Sequence, residues 1–124
     1  MTVMDRQTTD SLGALLQQAQ AATAAILRQF EERLQVLSAP SPNAADPTAV
    51  RWARDLRASQ AKLELQEAYR RFTQIVRTLQ LQDVISEGEA APVLGDLERM
   101  RREASGAIKE RLRQPEHGRG APRG

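Results

Sequence analysis

The sequence predicts an all-α protein. It should form three helices, over about 10–38, 47–87 and 92–113, arranged as an elongated antiparallel helical bundle or coiled-coil hairpin. Three observations carry this. Apolar residues recur at alternating three- and four-residue steps, a helical period rather than a strand period. Aromatics are only 3% of the 124 residues, too few for a sandwich or barrel. The chain is rich in Ala, Gln, Leu, Glu and Arg, the composition of long helices.

The first helix is expected to start near Thr9 or Asp10, whose side-chain oxygens suit the free N–H groups of a first turn. Leu12, Leu16, Ala19, Thr23, Ile26, Phe30, Leu34 and Leu37 form its stripe. The run from Ser38 to Asp46 holds two prolines and reads as a loop. Asp46-Pro47 restarts helix, with Asp as cap and Pro at the first helical position. The second helix then has no Gly or Pro before Gly88, which is placed just past its end. Its stripe starts weakly with Val50, Trp52, Ala53, Leu56, Ser59 or Gln60, and Leu63. It strengthens through Leu65, Tyr69, Phe72, Val76 and Leu79. The third helix opens at Pro92 and uses Val93, Leu97, Met100, Ala104, Ala107 and Leu112, with Ile108 alongside. Ion pairs four residues apart are expected at Arg51–Asp55, Glu67–Arg71, Glu98–Arg102 and Arg99–Glu103. Residues 1–113 make one helical domain, and 114–124, rich in Gly and Pro, read as a disordered tail.

Composition excludes several chemistries. There is no cysteine, hence no thiol nucleophile and no Cys-based metal site. The one histidine, His117, lies in the tail, so neither a catalytic triad nor the Glu-x-x-His pattern of di-metal bundles is available. The seven glycines are scattered and form no phosphate loop. Glu31-Glu32 and Glu87/Glu89 read as solvated charge. No enzymatic activity, no cofactor and no metal are expected. Net charge is +2, running from three bases against five acids in 1–46 to eight against five in 92–124. Acids and bases alternate along the helices, so nucleic-acid binding is an unfavoured alternative that would use the third helix with Arg119 and Arg123. No apolar run approaches the roughly 20 residues that cross a bilayer. The start, Met1-Thr-Val-Met-Asp-Arg, lacks a leader pattern, so a cytoplasmic protein is expected, although signal-less secretion leaves the same trace.

Helices of these lengths should overlap as three only near residues 60–73, leaving a narrow two-helix seam elsewhere. A partner or a second copy would cover the rest. A kink near Ser59-Gln60, giving a compact three-helix bundle, is the alternative. The expected function is therefore a non-enzymatic helical interaction module: an adaptor, chaperone or assembly subunit that docks a helical partner or self-associates. The residues assigned to that packing are Leu56, Leu65, Tyr69, Phe72, Val76 and Leu79, with Trp52 and Arg51 as the anchor for a partner.

One segment, Leu79-Gln-Leu-Gln-Asp-Val-Ile-Ser-Glu87, resembles the helix of CheZ-type chemotaxis phosphatases, in which a Gln-Asp pair is followed four residues after the Asp by a Gln. The resemblance covers nine residues. It implies that Asp83 contacts a phosphorylated response regulator. Glu87 stands where the family's water-orienting Gln should be, and a carboxylate cannot donate as an amide does.

Overall fold

The computed structural model describes residues 2–38 and 46–114, with side chains from Asp10 onward, Ser38 excepted. The expected loop and tail, with His117, Arg119 and Arg123, lie almost wholly outside these residues. Three helices pack against one another: α1 (Thr2–Ser38), α2 (Pro47–Leu81) and α3 (Glu87–Arg113). The chain is an all-α helical bundle.

Cross-helix contacts fix the topology. Thr23 of α1 meets Tyr69 of α2, and ten residues further along α1 Arg33 meets Glu64, so these helices are antiparallel. Arg54 near the start of α2 reaches the carbonyl of Leu112 near the end of α3, while Arg77 lines a groove with Leu94. These two are antiparallel as well. The α1 and α3 helices therefore run parallel, joined side by side by Arg111 and Glu31.

Helix boundaries differ from the sequence expectation in three places. The α1 helix begins at Thr2, so Asp10 is interior. Nothing between Thr2 and Asp10 breaks a helix, as a Pro or Gly would. The α2 helix ends at Leu81 rather than 87. Its terminus is a Schellman motif: Val84 N–H donates to Leu79 O at 2.9 Å and Asp83 N–H to Gln80 O at 3.0 Å. Asp83, with φ 59°, occupies the left-handed position expected of Gly88. The α3 helix then starts at Glu87 because Ser86 and Glu89 form a capping box. Ser86 Oγ accepts from Glu89 N–H, and Glu89 Oε1 accepts from Ser86 N–H at 2.8 Å. Gly88 is thus in the first turn of α3 and Pro92 lies inside the helix. Asp46 caps α2 as expected, accepting from Thr48 N–H.

These shifts lengthen the region where all three helices run together. The core extends from Leu12 and Leu15, beside Ile85 and Val93, through Ala19, Leu65, Tyr69, Val76 and Leu97 to Phe30, Leu34, Ala58, Ala61 and Ile108. The two-helix seam is therefore replaced by a three-helix core over most of the length, and α2 needs no break at Ser59-Gln60. No side-chain N or O atom is buried without a hydrogen-bond partner among the described residues.

Surface ion pairs also differ in register. They join acids to arginines three residues later: Asp96–Arg99, Glu98–Arg101 and Glu110–Arg113. None of the four expected four-residue pairs forms among the described residues. Arg99 and Glu98 bond three-apart partners in place of the expected ones.

Candidate interaction surface

Among the described residues seven large apolar side chains remain exposed: Val36, Trp52, Leu56, Leu63, Ile75, Leu81 and Val84. Three of them form a row. At 100° per residue, Trp52, Leu56 and Leu63 fall within an arc of about 40° on α2. The residues that α2 buries, Ala58, Ala61, Leu65, Tyr69 and Val76, lie on the opposite side of the same helix. Exposure of the row is high, 67% at Trp52, 64% at Leu56 and 63% at Leu63. Ser59 completes a four–three–four spacing and is itself exposed.

The residues expected to pack against a partner divide in two. Leu65, Tyr69 and Val76 are buried by this chain's own α1 and α3, and Phe72 and Leu79 are half-buried against the same core. Their contacts belong to the intramolecular bundle, and Leu65, Tyr69 and Val76 are left no surface of their own. The reason is the longer three-helix overlap. Arg51, Trp52 and Leu56 are exposed. Leu63, read from the sequence as part of the weak early stripe and not as a site residue, is exposed beside them. Its spacing from Leu56 was the available signal.

Elsewhere the scaffold is tied down. Arg111 makes a two-pronged bond to Glu31, at 2.7 and 2.9 Å. The Arg111 hydrogen bond holds the Glu31 carboxyl below the usual carboxylate range, opposed by partial burial and helped by Arg111 charge, Gln35 and Arg54. Arg101 likewise lowers Glu98, and Glu98 raises Arg101. Tyr69 meets Phe72 edge-on, with ring centroids 6.3 Å apart.

The grooves between helices include these two. One, about 410 Å³, lies between α2 and α3 and is lined by Arg70, Arg77, Arg101, Glu98 and Thr73 over Leu94 and Leu97. The other, about 390 Å³, lies between α1 and α3, with Ala24, Leu27, Met100 and Ala107 on its walls and Tyr69 and Thr23 lining it as well. Among the described residues no three His, Cys, Asp or Glu side chains gather as a metal site. No helix there is long and apolar enough to cross a membrane.

The segment resembling the chemotaxis phosphatases is not one helix here. Its first three residues end α2, Asp83 sits exposed in the turn, and Glu87 opens α3. The one-turn helical spacing between Asp83 and Glu87 that the resemblance requires is not formed. On α3, Arg99, Arg101, Arg111 and Arg113 each pair with a carboxylate. No protein-family model, no curated protein and no solved structure matches this chain.

Proposed function

We propose that this chain is a non-catalytic helical interaction module, an adaptor, chaperone or assembly subunit, that docks a helical partner or another copy through the outer face of α2. One observation carries the reading. The bundle closes its own core, yet α2 keeps a second apolar row, Trp52, Leu56 and Leu63, pointing away from it. Scattered single apolar residues are normal on a surface; a periodic row with a Trp and a neighbouring Arg has the composition of an interface centre. A row with a four–three–four spacing is also the pattern that a second helix packs into. The rigid ties between helices suit this role, because a preformed face loses less entropy on docking.

The test is site-specific photocrosslinking. A benzoylphenylalanine in place of Leu56, in the full chain in its native cells, should give discrete covalent adducts. The same probe at Gln20, exposed on α1 beside the groove between α1 and α3, should not. Adding Trp52→Ala should diminish the Leu56 adducts. Equal labelling from both positions would remove the reading.

A further inference from the structure

The outer row of α2 also carries information about what it pairs with. Resting on the reading above, we infer that its occupant is the same row of a second copy, packed antiparallel about a two-fold axis near residues 57 and 58.

Self-complementarity of shape comes first. Trp52 and Leu63 are the large ends of the row, and between them Leu56 is followed by small Ser59. Overlaid head to tail, Trp52 of each copy lies against Leu63 of the other, and Leu56 against Ser59. Large meets small at the centre, and both ends close with apolar contact. This is the arrangement of an isologous two-fold interface, in which one patch serves both sides.

Charge points to the same register. With Trp52 and Ser59 at the d positions of a heptad and Leu56 and Leu63 at the a positions, Asp55 and Lys62 fall on one flank, seven residues apart. In the antiparallel overlay this flank meets itself, so Asp55 of each copy faces Lys62 of the other, twice. Neither has an ion-pair partner within the chain among the described residues. Ala53 and Gln60 on the other flank are neutral and introduce no repulsion. A parallel overlay pairs Lys62 with Glu67 but sets Asp55 against neutral Gln60, leaving Asp55 without an opposite charge. The antiparallel arrangement matches both. Contact through one helix face of about three turns is smaller than the roughly 800 Å² per partner of a standard interface, so the dimer is weak and reversible.

Sedimentation velocity on the full chain across a broad concentration series tests this. A monomer–dimer equilibrium is expected, accompanied by a blue shift of the single Trp as concentration rises. Leu56→Asp should leave a monomer throughout, with unchanged helicity, because Leu56 lies outside the core. Asp55→Lys alone and Lys62→Asp alone should each weaken association about 10-fold, since two symmetric pairs change at once. The double exchange, Asp55→Lys with Lys62→Asp, should restore it. A monomer at every concentration, a dimer indifferent to Leu56→Asp, or a double exchange as weak as the singles overturns the pairing. Photocrosslinking distinguishes the two failures. If the chain is monomeric but the Leu56 probe still gives adducts with a different protein, only the self-pairing falls. If it gives none, the docking reading falls as well.

Discussion

The contact between Thr23 and Tyr69 makes an asymmetric prediction. Thr23 Oγ1 lies 2.7 Å from the carbonyl of Ala19, a bond in which only the hydroxyl can donate. A threonine hydroxyl has one hydrogen, so in its bond with Tyr69 it must accept, and the phenol donates. Tyr69 is 3% exposed. Thr23→Val preserves side-chain shape but strands that phenol, at an expected cost of about 1–3 kcal/mol. Tyr69→Phe removes the donor instead. Thr23 keeps its bond to Ala19, so this change should cost only about 0.5–1.5 kcal/mol. The double variant strands nothing and should be less destabilised than Thr23→Val alone. On a bundle of this size each kcal/mol is about 3–5 °C in melting temperature. Urea denaturation followed by far-UV circular dichroism, at equal low protein concentration, gives all three values. A Tyr69→Phe variant weaker than Thr23→Val, or a double variant at the sum of the singles, would refute the assigned direction of the bond.

Three further outcomes are expected. Leu34→Ala and Leu97→Ala, each about 1% exposed, should each cost about 2–5 kcal/mol in the same denaturation assay, whereas Leu63→Ala should cost below about 0.5 kcal/mol. Asp83→Gly should stabilise by about 1 kcal/mol, because glycine relieves the left-handed backbone that a Cβ disfavours; a loss of stability would show that the Asp83 side chain makes a contact of its own. Arg111 lowers the Glu31 carboxyl in the folded chain. Its contribution is therefore present above the unfolded carboxylate value of about 4.3 and is lost as pH falls through the lower folded value. Glu31→Gln should cost under about 1 kcal/mol near neutral pH, this pair being partly exposed, and the gap to wild type should vanish in acid.

Period was legible in the sequence; boundaries were not. The α1 stripe read from spacing contains Leu12, Ala19, Phe30 and Leu34, all of them buried, and Leu16, Ile26 and Leu37, packed against the core. In α3, Val93, Leu97, Ala104 and Ile108 are buried, while Ala107 is exposed. The end of α2 was misplaced because glycine was given the left-handed cap. Asp83 takes it instead, a residue that tolerates that conformation. The start of α3 was visible in Ser86-Glu-Gly-Glu89, a Ser with Glu three residues later, but Pro92 drew the boundary to itself.

The first half of α2 shows why its site was only half readable. From Leu79 the strong run steps back through Val76, Phe72, Tyr69 and Leu65. Continued in the same phase, it lands on Ala61 and Ala58, and those are the buried positions. Following side-chain size instead leads to Leu63, Leu56 and Trp52, which lie on the other side of the helix. Small residues toward the core let α2 approach its neighbours closely there, and phase rather than bulk marks the packed face. The large residues on the outer face then have no role in closing this core. Over this stretch α2 carries two apolar phases, and the bundle buries only the first. The expectation of docking drawn from an incomplete core fails, since the core is closed; the docking proposed above rests instead on this second row, which internal packing neither explains nor needs.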